Sequence, residues 1–242
     1  MKKIQRLLLL LPMLGLAACG SSNEETQTMD PDFPMLTDTR PEEEETAVFK
    51  TLNGERVEDN KNTRKIVCIF GSPDVVSFGI KILAYEKTTE TKGFESLYGD
   101  AVALTMNYSA EEVLSYHPEL ILVNQAMSQT QRETFSKIAP VIPLYNDSDD
   151  VSVRLNYIGE IFGLEESATK LISYAETLQQ KTIDEINSWG LGGKTLTVFT
   201  YMGGITIPPS RNFFFATILY DYLKFERLQI VKDFMEDDSI LA

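Results

Sequence analysis

Apolar and polar positions alternate differently in successive parts of this 242-residue chain. Short apolar runs come first. "RKIVCIF" (64–70), "IKILA" (80–84), "ELILVN" (119–124) and "VIPLY" (141–145) predict strands, and their nearly unbroken apolar character is that of parallel strands buried on both faces. Ahead of them, "AVFKTLNGERVED" predicts a hairpin turning at Asn53-Gly54. Gly71-Ser72-Pro73-Asp74 breaks the first run and opens a short helix that Gly79 stops. Residues 86–98 are polar and irregular, which predicts a loop. Ser109 with Glu112 three residues on predicts a helix opened by a capping box, and Pro118 ends that helix. A further helix is predicted over 130–138. Strands alternating with short helices make an α/β unit with parallel pairing.

From Asp149 to Trp189 the period changes. Leu155, Ile158, Ile161 and Phe162, then Ala168, Leu171, Ile172, Ala175 and Leu178, recur at helical spacing, with Gly163 as the separator. The second helix, 165–187, is about 35 Å long at 1.5 Å per residue, enough to join two lobes. Strand-like runs then resume in "KTLTVFTYM" (194–202) and "GITIPP", followed by the helix-like "FFATILYDYLKF". The expected architecture is two α/β lobes with mainly parallel sheets joined by a long interlobe helix. The second lobe is expected to be incomplete, being about half the length of the first.

The N-terminus adds a destination. Lys2, Lys3 and Arg6 precede an apolar segment, 7–16, too short to span a bilayer as a mature helix. Leu16-Ala17-Ala18-Cys19 looks like the processing box of a bacterial lipoprotein, implying cleavage before Cys19 and acylation of its thiol. The expected organisation is a signal peptide (1–18), an acidic disordered linker (19–46), an N-terminal lobe (47–148), interlobe helices (149–189) and a partial C-terminal lobe (190–242). The linker reading rests on nine acids against Arg40 alone in 20–46, interrupted by Pro31, Pro34 and Pro41, a composition that buries too little surface to order itself.

Charge and chemistry exclude several classes. The net charge of −14 becomes more negative once Lys2, Lys3 and Arg6 are removed, which argues against nucleic-acid binding. With Cys19 acylated, Cys68 is the remaining thiol, read as a small buried apolar residue within its strand. His117 is the one histidine, too few for a bare transition-metal site, and it reads as a surface residue. The chain contains no H-E-x-x-H, P-loop or G-x-S-x-G motif, so neither an enzyme nor a bound cofactor is expected.

Four stretches carry a family resemblance: "TRKIVCIFGSPDVVSFGIKILA", "NYSAEEVLSYHPELILV", "FSKIAPVIPLY" and "IGEIFGLEESATKLISYAETL". Together, in this order, they resemble the siderophore-type substrate-binding proteins of ABC importers. The resemblance covers 47–225. It implies a monomeric receptor on the extracytoplasmic face of the membrane, anchored through Cys19. Such a receptor takes a ferric siderophore between two lobes and delivers it to the permease subunits. A corrinoid or haem receptor on the same scaffold, a truncated receptor without function, and a surface lipoprotein hydrolase are the alternatives.

Ligands of open α/β sheets sit beyond the carboxyl ends of the strands. That rule selects Gly71-Ser72-Pro73, residues 92–98, Met106-Asn107-Tyr108, Asn124-Gln125, Tyr201-Met202 and residues 210–214. The candidate ligand contacts are Lys92, Tyr98, Tyr108, Asn124, Tyr201, Arg211 and Phe213, with Phe214 beside them. Aromatic walls with few cations favour a ferric hydroxamate over a strongly anionic tris-catecholate; a citrate chelate stays open. Arg211 reads either as a cleft arginine or as a solvated loop residue, Lys92 as a contact or a surface lysine, and each aromatic as a contact or as core. Glu111 matches the family's permease-docking glutamate, and its position at a helix start also complements the helix dipole.

Overall fold

The structure is a computed structural model and describes residues 30–40, 46–50, 56–88, 94–105, 107–145, 150–197, 200–201, 205–206, 217–229 and 232–233. The expected hairpin forms: β1 (Thr46–Lys50) and β2 (Arg56–Asn60) pair antiparallel, with Thr46 opposite Asn60. Its turn at Asn53-Gly54 lies outside the described residues.

The central element is a five-stranded parallel sheet of β3 (Ile66–Cys68), β4 (Ala84–Glu86), β5 (Val102–Leu104), β6 (Leu120–Asn124) and β7 (Val141–Leu144). The strand order is β5-β4-β3-β6-β7. The chain therefore steps outward from β3 to β5, then returns past β3 to lay down β6 and β7. Between β3 and β6 the direction of winding reverses, and such a reversal opens a crevice at the carboxyl ends of the strands.

The α-helices include α1 (Ser72–Ser77), α2 (Glu95–Tyr98), α3 (Ala110–Ser115), α4 (Gln129–Phe135), α5 (Val151–Phe162) and α6 (Glu165–Ser188). Alternation along the strands makes two cores. Ile66, Cys68, Leu120, Leu122, Ile142 and Leu144 pack with Val75 of α1, Ile158 and Ile161 of α5, and Ala168 and Leu171 of α6. Val67, Ile69, Ala84, Ile121 and Val123 pack with Val113 of α3 and Phe135 of α4 on the other face.

Several boundaries differ from the sequence expectation. The strand expected at 80–84 begins at Ala84 instead. Ile80 and Ile82 are buried, but parallel pairing starts only where the Leu83 amide donates to the Ile66 carbonyl at 2.7 Å. Their apolarity reports burial and not ladder membership. β5 has no counterpart in the apolar pattern because Val102 and Ala103 are exposed on this edge strand. The predicted loop 86–98 contains α2. Ser109 caps α3 as expected, accepting from the Glu112 amide at 3.2 Å. The Glu112 carboxylate does something else: it accepts from the Thr105 amide at 3.0 Å and the Thr105 hydroxyl at 2.7 Å.

The largest correction concerns the acidic linker. Residues 30–40 form an ordered strap. Phe33 is 6% exposed and meets Tyr174 edge-on at 5.4 Å and Phe94 at 6.5 Å. Arg40 is buried, donating to the Thr63 carbonyl at 2.7 Å and to both carboxylate oxygens of Asp38, and its guanidinium lies 4.9 Å from the Phe162 ring centroid. Composition missed this because one buried aromatic and one fully bonded arginine anchor a segment that is otherwise acidic.

The chain divides into two compact units, with the boundary between Tyr174 and Ala175, inside α6. The sheet, α5 and the first part of α6 belong to the first unit, because Leu155, Phe162, Ala168 and Leu171 are buried in its core. In the second unit β8 (Thr200–Tyr201) and β9 (Ile205–Thr206) pair antiparallel. The strand expected over 194–202 is present as β8 and as a parallel bridge from Thr195 to Glu226. The helix expected nearby is a π-helix over Thr217–Tyr222, where the Tyr220 hydroxyl donates to the Leu196 carbonyl at 3.0 Å.

Candidate functional site

In the first unit, β3 leaves the sheet through Phe70-Gly71-Ser72 at the reversal point. Gly71 has φ +71, and a Cβ there would lie 3.0 Å from Leu144 Cδ1 and 3.1 Å from the Tyr145 hydroxyl. Glycine thus serves both a left-handed backbone and a close approach to β7. The Cys68 thiol donates to the Phe70 carbonyl at 2.9 Å and fixes the backbone from beneath.

Two tyrosines bracket the turn. On one side the Tyr98 and Ser72 hydroxyls lie 2.9 Å apart, and the Tyr98 ring stacks on Tyr85 of β4 with centroids 4.0 Å apart. On the other side the Tyr145 hydroxyl donates to Asp74 Oδ2, which also accepts from Arg154 Nε at 3.0 Å. The Arg154 guanidinium lies 5.2 Å from the Tyr145 ring centroid, and Phe70 meets the same ring edge-on at 6.1 Å. Phe70 and Tyr85 are half-buried; Tyr98 and Tyr145 are buried.

Burial, followed by the charge of Asp74, pushes the Tyr145 phenol well above its ordinary value. Burial likewise raises the Tyr98 phenol and the Cys68 thiol, keeping both protonated at neutral pH. The hydroxyls and charges around the turn are committed to one another. The arrangement offers a preshaped aromatic surface, and no nucleophile in it is poised for attack.

The predicted site residues distribute unevenly. Tyr98 lies at this turn, but it is 6% exposed and its hydroxyl is bonded to Ser72, so it supports the wall from behind. Tyr108 belongs to the opposite face, half-buried against Phe135 at 6.5 Å. Burial, then the neighbouring Glu86 carboxylate, raises its phenol to about 12. Asn124, half-buried at the end of β6, accepts from the Ala126 amide at 2.7 Å and shapes the turn after the strand. Glu111 is exposed in the first turn of α3; its own amide, then the Ser109 hydroxyl, hold its carboxyl below the usual range. Tyr201 is in β8 of the second unit. Cys19, Lys92, Arg211, Phe213 and Phe214 lie outside the described residues. His117 is exposed, and among the described residues no three His, Cys, Asp or Glu side chains gather to hold a metal ion. Sequence reasoning missed Phe70, Tyr85, Asp74, Tyr145 and Arg154. The strand-end rule pointed within one residue of Phe70, but nothing local links Asp74 to Arg154.

Comparisons with known proteins give a consistent picture. The profile of a family described as "Periplasmic binding protein" matches residues 81–225. The "Iron-uptake system-binding protein" of Bacillus subtilis (strain 168) is 24% identical, over 91% of this chain and 69% of that protein. Among solved structures, the triscatecholate siderophore binding protein FeuA from Bacillus subtilis complexed with ferri-bacillibactin aligns with TM-score 0.60 and 20% identity, over 77% of this chain and 68% of that one. PiaA of Streptococcus pneumoniae in complex with ferrichrome aligns with TM-score 0.61 and 18% identity, over 79% and 70%.

Proposed function

Given that this chain belongs to the periplasmic binding protein family, and within it to the siderophore-type branch, we propose that it captures a ferric siderophore outside the cytoplasm for an ABC importer. It is a binding protein and not an enzyme. The observation that carries the ligand reading is the aromatic turn at the β3/β6 reversal. A ferric chelate presents a bulky carbon frame around a metal whose coordination is already filled, so its receptor needs shape and apolar surface more than metal ligands. Relatives that bind such chelates support the class.

Within that class the chain favours a hydroxamate chelate. The surface around Phe70 and Tyr85 is aromatic, and Arg154 is already paired with Asp74, whereas a tris-catecholate calls for several uncommitted cations. Lys92, Tyr108, Asn124, Tyr201, Arg211 and Phe213 are the further contacts proposed from the strand-end rule, with the family resemblance adding support at Tyr108 and Arg211. Glu111, exposed and held ionised, suits docking to a permease arginine. Acylated Cys19 supplies the membrane anchor in this reading, which raises the receptor's effective concentration beside the permease. No helix among the described residues is long and apolar enough to cross a membrane.

The test is a fluorescence titration of the full chain, purified from membranes in detergent, with ferric hydroxamate, catecholate and citrate chelates, and with haem and a corrinoid as competitors. Trp189 and the tyrosines are the reporters. Saturable quenching by a ferric chelate is expected. A folded chain that responds to none of the ferric ligands sinks the proposal.

A further inference from the structure

The half-buried aromatic at the winding reversal has a backing unlike that of a chance surface residue. Phe70 is fixed at its carbonyl by the Cys68 thiol at 2.9 Å and at its ring by Tyr145 at 6.1 Å. Tyr145 is fixed in turn through its hydroxyl bond to Asp74, and Asp74 by Arg154 at 3.0 Å. Four elements therefore converge to hold one side chain: the end of β3, α1, the end of β7 and α5. Because the polar groups behind Phe70 satisfy one another, its ring is a preorganised apolar contact, and preorganisation of this kind lowers the ordering cost of binding.

We propose that Phe70 is the specificity-determining contact of the first unit, packing its ring against the carbon frame of the chelate, with Tyr145 as its positioning residue. This rests on the siderophore reading above and adds to it a named residue and a ligand feature. An aromatic face gains from apolar surface and gains little from carboxylate oxygens. Phe70 thus selects for chelates whose iron is wrapped in a hydrocarbon frame.

The experiment is equilibrium dialysis of the full chain in detergent with two radiolabelled iron chelates, a ferrichrome-type tris-hydroxamate and ferric citrate. Phe70→Ala is expected to weaken the tris-hydroxamate about tenfold, the loss of one well-packed aromatic contact, and ferric citrate less than about threefold. Tyr145→Phe keeps the ring and removes the hydroxyl bond to Asp74; it is expected to shift the ratio of the two affinities in the same direction by a smaller factor. Should Phe70→Ala fail to fold by circular dichroism, Phe70→Leu carries the test, with a partial loss on the tris-hydroxamate alone. Equal losses on both chelates, or no loss on either, overturn the assignment of Phe70 while leaving the siderophore reading intact. A wild-type chain that binds only citrate, or that binds neither chelate, overturns the selection argument, and the siderophore reading falls with it only if the catecholate titration above is negative too.

Discussion

Arg154 donates to Asp74 at 3.0 Å across 80 residues of chain, with both side chains about one-fifth exposed. This pair joins α5 to α1 just behind the turn that ends β3. Since Asp74 also accepts from the buried Tyr145 hydroxyl, removing its carboxylate takes the acceptor from that hydroxyl and one partner from Arg154. Asp74→Ala is expected to destabilise the chain by about 1–3 kcal/mol. A urea denaturation midpoint equal to wild type contradicts the latch.

Gly71→Ala forces an L side chain into a left-handed backbone and brings its Cβ to 3.0 Å from Leu144. The expected loss is about 1–2 kcal/mol, read as a lower thermal midpoint. An unchanged midpoint would mean that the turn relaxes without strain.

The strap makes a sharper test of the fold. At Gly79 a Cβ would sit 2.5 Å from the Leu36 carbonyl oxygen, so Gly79→Ala pushes residues 30–40 away from the first unit. Phe33→Ala removes their anchor at a cost of about 3 kcal/mol. Both variants are expected to open cleavage at the Met35-Leu36 bond in limited thermolysin digestion, where the wild-type strap resists. Equal cleavage rates in all three chains would refute the docking.

Asp38 gives the strap a pH dependence. Burial by itself raises its carboxyl, but the hydrogen bonds and charge of Arg40, with the charge of Arg64, reverse this and leave it below its ordinary value. A carboxyl whose folded pKa is lowered contributes stability that is fully present above its unfolded value, about 4, and is lost as pH falls through the lower folded value. Strap protection should therefore hold from neutral pH to about 4 and weaken below it, a loss followed with pepsin from about pH 5 downward. Asp38→Asn should flatten that dependence, and identical profiles for the two chains would exclude Asp38 as the group responsible.

Cys68 is fully buried and its thiol is raised by desolvation. In a Cys19→Ser chain it should resist iodoacetamide at pH 8 when native and react promptly in urea. Fast native labelling would show that the core beneath Phe70 opens.

The parallel strands were legible because a strand buried on both faces must be apolar along its length: Val67, Leu122 and Ile142 announce themselves. The hairpin, the Ser109 cap and the two helices separated by Gly163 were legible because their signals are local. β5 was hidden, since an edge strand with exposed Val102 and Ala103 lacks the buried pattern. The ordered strap was hidden because its acidic composition outweighs Phe33 and Arg40 in any average, while their partners Tyr174, Thr63 and Phe162 lie far along the chain.

The candidate site divides the same way. Sequence by itself determined the α/β class, the family and the strand ends at which the site is proposed, since periodicity and motif order are properties of neighbouring residues. Only the tertiary structure decided which side chains those ends expose. It turned Tyr98 inward onto Ser72, placed Tyr108 on the opposite face, and built a brace behind Phe70 from Tyr145, Asp74 and Arg154. Such a brace depends on contacts between elements brought together by strand order, and no local pattern encodes a contact that exists only after the sheet has been wound.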